Sequence, residues 1–156
     1  MKRGGTKQTD SARRGASPLR RLNGLVGSWR LSGRTFNSPR DDIRGKVVVE
    51  WLPGGHLLQL RSEIRVGKFT VQSLEIVSFD PVSKAFPSFV YTNVDQVPLK
   101  YSWKVQGGTV VHSGLGATFT GTWSDRGRIL SGAWQADPGV APSPQNTYTA
   151  KMTRTR

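Results

Sequence analysis

The chain has 156 residues, no cysteine and a formal net charge of +13, which bounds it to one domain-sized core and excludes disulfides, thiolate metal sites and cysteine nucleophiles. No apolar run reaches the length of a signal-peptide core or a membrane span, so a soluble, cytoplasmic protein without a membrane partner is expected. The charge is uneven: residues 1–22 hold Lys2, Arg3, Lys7, Arg13, Arg14, Arg20 and Arg21 against the single acid Asp10.

Residues 1–21 are rich in glycine and serine and contain no aromatic residue, so they offer little apolar surface to offset the entropy of ordering. A disordered basic leader is predicted there, and a barrel domain from residue 22 to 156. The leader solubilises; contact with nucleic acid through its charge is the alternative.

Beyond the leader the apolar residues repeat every second position, the period of strands, and no helical period emerges. An opening strand is expected around residues 27–36, then a polar loop over 37–42. Residues 46–51 place Val47, Val49 and Trp51 on one face. Pro53-Gly54-Gly55 reverses the chain, because proline presets one turn dihedral and glycine accepts positive φ. In residues 57–65, Leu58, Leu60, Ser62 and Ile64 alternate with Gln59, Arg61, Glu63 and Arg65, so one face is buried and one wet. The run 69–79 loses its apolar register near Gln72-Ser73, where a β-bulge would restore it. Asp80-Pro81-Val82-Ser83 is a turn. Further runs are predicted at 85–93, 99–105, 109–113, 117–123, 128–135 and 146–154.

About ten strands joined by short turns can remove their exposed edges by closing, so the predicted fold is all-β: one closed, antiparallel, up-and-down barrel. Alternation places Trp51, Leu60, Tyr101, Trp103, Phe119, Trp123, Trp134, Tyr148 and Met152 inside. A barrel of this strand number is wider than the eight-stranded case and is expected to hold a cavity lined by indoles, phenols and hydroxyls.

Several segments together resemble a calycin-type family of bacterial barrels of unassigned function, related in fold to lipocalins and fatty-acid-binding proteins. They are Leu25-Val26-Gly27-Ser28-Trp29, Glu50-Trp51-Leu52-Pro53-Gly54-Gly55, Phe79-Asp80-Pro81, the stretch from Thr118 to Trp134, and a last strand ending in arginine. The resemblance implies a plug in which Arg154 covers Trp29 at one end of the barrel. Two related sites do not carry over. The arginine and tyrosine that hold a fatty-acid carboxylate would fall where this chain has Arg154-Thr155-Arg156, and residues 113–156 contain no histidine to serve as a late proximal haem ligand.

Chemistry is sparse. His56 follows a turn and reads as a solvated hairpin residue; His112 lies in a strand and faces the interior as a wall residue or, less simply, a proton carrier. Glu50, Glu63 and Glu75 read as isolated acids on different strands, and no metal spacing, hydrolase elbow or phosphate-binding glycine pattern occurs. The expected function is non-catalytic binding of a small, largely apolar or aromatic ligand by Trp51, Leu60, Tyr101, Trp103, His112, Phe119, Trp123, Trp134, Tyr148 and Met152, with no cofactor and no metal. The alternatives are a cavity enzyme of isomerase or lyase type using His112 or Tyr101, and nucleic-acid contact by the leader.

Overall fold

A computed structural model describes residues 17–155. Ten strands follow one another: β1 (Gly27–Thr35), β2 (Ile43–Trp51), β3 (Leu58–Val66), β4 (Phe69–Val77), β5 (Phe86–Thr92), β6 (Leu99–Gln106), β7 (Thr109–Gly114), β8 (Ala117–Ser124), β9 (Ile129–Ala136) and β10 (Tyr148–Arg154). Each pairs antiparallel with its chain neighbours, and β1 also pairs with β10, so the sheet closes in simple up-and-down order. Closure leaves no unpaired strand edge, which is the reason a chain made of short hairpins adopts it.

Two expectations are corrected. The sequence predicts a leader over residues 1–21; residues 1–16 lie outside the described structure, but Pro18–Leu25 form a 3₁₀ helix whose Leu19, Leu22 and Leu25 are fully buried. Three residues per turn put every third side chain on one face, so Pro18-Leu19-Arg20-Arg21-Leu22 packs as part of the body despite its two arginines. The bulge expected near Gln72-Ser73 is also absent. The register between β3 and β4 runs unbroken from Leu58↔Val77 to Val66↔Phe69. Continuous pairing keeps Val71, Ser73, Glu75 and Val77 on the inner face and leaves Leu74 and Ile76 half-buried outside.

The up-and-down order sorts the connections to two ends. At one end lie the turns 52–57, 78–85, 107–108 and 125–128, together with the 3₁₀ helix; at the other lie 36–42, 67–68, 93–98, 115–116 and 137–147. The helix end is closed. Trp29, Val49, Leu58, Val77, Val110 and Leu130 are all buried there against Leu19, Leu22 and Leu25. Trp29 donates its indole N–H to the Leu25 carbonyl at 2.7 Å, and the Arg154 guanidinium lies 4.1 Å from the Trp29 ring centroid. Arg154 also donates to the Val26 carbonyl at 2.6 Å and the Gly24 carbonyl at 2.9 Å. The Trp29–Arg154 plug is therefore present, and it satisfies carbonyls at the helix's end that would otherwise lack partners.

Candidate ligand-binding site

The nine side chains assigned to the interior by alternation, and His112, stand on inward-facing strand positions. The structure divides them between the two ends. Trp51 donates to Asn23 Oδ1 at 2.9 Å and lies under the Arg20 guanidinium; the Trp123 ring stacks obliquely on Trp29, 5.9 Å between centroids, and against Gly24. Met152 packs on the same core, opposite Leu130. These three belong to the closed end.

Tyr101, Trp103, His112, Phe119, Trp134 and Tyr148 come together higher in the barrel. The Trp103 and His112 rings stack at 3.8 Å with 14° between planes. Trp134 stands edge-on to His112 at 5.2 Å and to Tyr101 at 6.2 Å, and its other neighbours are Phe119 at 5.9 Å and Tyr148 at 6.0 Å. Such contacts are favourable beyond area burial alone because ring edges and faces carry opposite partial charge. Gly114 makes room for this cluster. A Cβ there would come within 2.3 Å of the Tyr101 ring, so only glycine lets that ring lie flat across its β7 partner.

Beneath the rings lies Glu75, a residue the sequence reading set aside as isolated. Its side chain is buried, and Oε1 accepts from Ser88 Oγ at 2.7 Å, Trp103 Nε1 at 2.8 Å and His112 Nε2 at 2.9 Å. Oε2 accepts no hydrogen bond among the described residues. Burial pushes this carboxyl up, but the facing His112 charge and the three hydrogen bonds outweigh it, so its pKa falls below the ordinary value. An ionised carboxylate only accepts, which fixes the proton on His112 Nε2 in either charge state of the ring. Leu60, the β3 partner of Glu75, seals one side. Burial and the Glu75 and Asp95 charges push the Tyr101 hydroxyl up, and burial pushes Tyr148 up strongly, so both phenols are neutral donors at physiological pH.

The half of the barrel above Glu75 carries the aromatic cluster. Ser62, Ile64, Ser73, Tyr101, Trp134 and Tyr148 point inward there and are half-buried, as Trp51, Trp123 and Met152 are at the closed end, while Thr35, Ile43 and Ala117 near the mouth are buried. These groups form the cup of the barrel, with the Glu75 network as its floor and aromatic rings on the β6–β10 side. The Ser62 and Ser73 hydroxyls, joined by a short hydrogen bond, line the opposite side. Two hollows, of about 560 and 610 Å³, lie along the wall: the first is lined by Ser62 and Ser73 with outward-facing Lys46, Gln72 and Tyr91, the second by Phe86 and Trp103 with Lys84, Ser102 and Lys104, and neither is lined by Tyr101, His112, Phe119, Trp134 or Tyr148, where the sequence places the cavity. His56 is exposed in its hairpin, as read from sequence.

No family model matches this chain, and no curated protein matches it. Among solved structures the chain is similar to an S-type phycobiliprotein lyase from Guillardia theta, with a TM-score of 0.52 and 11% identity over 96% of this chain and 98% of that one. The likeness spans both chains nearly end to end and speaks for the calycin-like barrel fold.

Proposed function

We propose that the protein binds a small, largely aromatic or apolar molecule in the open half of its barrel without altering it. The observation that carries this reading is the convergence of inward-facing Tyr101, Trp134 and Tyr148 above a buried Glu75 that accepts from Ser88, Trp103 and His112. Flat apolar groups of a ligand would lie on these rings, and a donor N–H or O–H would reach the floor, the arrangement of an apolar pocket with few convergent polar groups. The phycobiliprotein lyase of similar fold adds support at the level of architecture. The test is a titration of tryptophan fluorescence with a panel of aromatic compounds, beside mass spectrometry of whatever co-purifies with the native protein. Saturable quenching that weakens in Trp134→Phe supports the reading; a panel in which nothing perturbs the emission counts against it.

A second reading, proton-transfer catalysis of isomerase or lyase type in the same cup, draws on one observation: His112 points inward and meets Glu75 at 2.9 Å, with the Tyr101 ring 5.1 Å from the imidazole. A carboxylate that orients an imidazole beside a phenol is a workable acid–base set. Binding alone predicts that a compound is recovered unchanged from the wild type. Catalysis predicts that it is recovered altered from the wild type and intact from His112→Gln.

A further inference from the structure

The rim of the cup is studded with exposed apolar side chains. Phe36 leads into the 36–42 loop; Phe69, 77% exposed, follows the 67–68 turn; Val94 and Val97, each 65% exposed, sit in 93–98; Leu115, 61% exposed, is in 115–116; Val140 is in 137–147. Every connection at the mouth therefore carries, on it or at the strand end beside it, at least one large apolar group exposed to solvent. Among the described residues, the four turns at the closed end present only Val82. Isolated exposed apolar residues are ordinary, but one on each of five loops around a single opening is a pattern, and apolar groups gathered at one end of a molecule mark a contact surface.

Leu115 strengthens the point. It holds φ at +54° beside Gly116 at +77°, a tight hairpin turn whose first position favours asparagine, aspartate or glycine. A leucine is strained there and gains no burial in return, so packing within this chain does not explain it.

The same end is basic. Arg34, Arg40, Arg44, Arg65, Lys68 and Lys100 are exposed around the mouth. The acids there are fewer, Asp41, Asp42, Asp95 and Asp137; Asp41 pairs with Arg34, and the other three keep their charge while bonded to the hydroxyls of Thr35, Thr92 and Thr118, so the six cations leave the mouth a small positive excess. Arg44 and Arg65 stand directly opposite each other on the outer wall, a like-charge pair that disfavours the free state and would be relieved by an anion.

We propose that the mouth of the barrel docks on an anionic lipid surface, its apolar tips entering the acyl boundary and its arginines and lysines meeting the headgroups. One apolar tip per loop, spread round an opening instead of gathered in a single patch, fits a deformable apolar phase under a negative surface, and two weak signals acting together are what reversible membrane contact requires. Docked this way, the cup opens onto the bilayer, and an apolar molecule enters without crossing water. The inference goes beyond the binding reading and stands without it.

The test is co-sedimentation of the full chain with vesicles of phosphatidylcholine alone and of phosphatidylcholine mixed with phosphatidylglycerol. The expected result is binding to the mixed vesicles only, weakened by salt, and weakened further by about tenfold or more for each apolar tip removed in Phe69→Ser and Leu115→Asn. Because the full chain is used throughout, its basic N-terminal residues contribute equally to every variant. The absence of cysteine allows a polarity-sensitive dye to be attached at Phe69→Cys, Leu115→Cys or, at the closed end, Val82→Cys; the first two should shift to the blue on mixed vesicles and the third should not. Four results would overturn the proposal: no sedimentation with mixed vesicles, equal binding after removal of the tips, equal dye shifts at both ends, or a shift at Phe69→Cys that tracks protein concentration without vesicles and so marks contact between copies of the chain.

Discussion

The two ends of the barrel use the same inward-facing alternation for opposite purposes. At the closed end the polar groups of Trp29 and Arg154 are given to backbone carbonyls at the end of the 3₁₀ helix, and Leu19, Leu22, Leu25, Val49, Leu58 and Leu130 around them are buried to within a few per cent. In the open half the polar groups of Ser88, Trp103 and His112 converge on one carboxylate beneath a cluster of partly buried rings. Packing at one end favours stability. The other end keeps a buried carboxylate, and Leu115 at its mouth holds a strained backbone angle while exposed, features that cost stability and persist where they serve binding.

The largest expected effect tests the plug. Trp29→Ala removes a fully buried indole from the centre of the closed end and should lower the unfolding free energy by about 3–5 kcal/mol, read by chemical denaturation. That is a large share of the roughly 5–15 kcal/mol typical of a domain. Arg154→Leu, which leaves the Gly24 and Val26 carbonyls without their donor, should cost less, about 1–3 kcal/mol. If the indole variant were no less stable than wild type, the closed end would not be the stabilising half.

The floor of the cup should respond differently to single and double changes. Glu75→Leu leaves three buried donors without an acceptor and is expected to destabilise by about 2–4 kcal/mol. Glu75→Leu combined with His112→Leu removes charge and imidazole together, and replacement of a buried pair by apolar groups is often neutral or stabilising. Recovery of most of the loss in the double variant, with loss of ligand-induced quenching, is the expected outcome. A double variant as unstable as the single would make the network a structural device like the plug.

How far the sequence reveals these two ends depends on the period it uses. The ten strands are readable to within two or three residues at their ends because alternation and turn residues agree, as in Leu58 to Val66 followed by Gly67-Lys68. The plug pair Trp29 and Arg154 is readable through resemblance. The 3₁₀ helix was not, because Leu19, Leu22 and Leu25 recur every third residue, a period between those of strand and α-helix, within a stretch whose arginines suggest disorder. Glu75 was missed for a related reason. Reading Leu74 and Ile76 as the buried face forces a bulge and turns the carboxylate outward, whereas the barrel keeps register and buries Glu75 because Ser88, Trp103 and His112, distant in sequence, supply its hydrogen bonds. Pairwise chemistry across strands carries no local signal.

Acid should sharpen the contrast further. In the unfolded chain Glu75 titrates near the ordinary value of 4.5, while in the barrel its pKa is lowered. Below 4.5 the unfolded state therefore binds more protons than the folded one, so the stability this group contributes is complete above that pH and is lost as the pH falls through the folded value. Denaturation curves of Glu75→Gln should show a shallower decline in acid than wild type, because Asp42 and Asp80, also lowered by hydrogen bonds, remain in both proteins. Identical slopes would mean that the buried carboxylate is not ionised.

The smallest expected change has the opposite sign from the first. Leu115 at φ +54° is strained and exposed, so Leu115→Asn, which suits the left-handed turn, should stabilise the fold by up to about 1 kcal/mol. Thermal unfolding of the pure protein would detect it as a small rise in midpoint. A residue whose replacement improves the fold is kept for something outside the fold, so a gain in stability at Leu115 joined to a loss of vesicle binding would separate the mouth from the plug by sign as well as by size. If Leu115→Asn destabilises instead, the leucine is packing within its own turn, and the mouth obeys the same rule as the closed end.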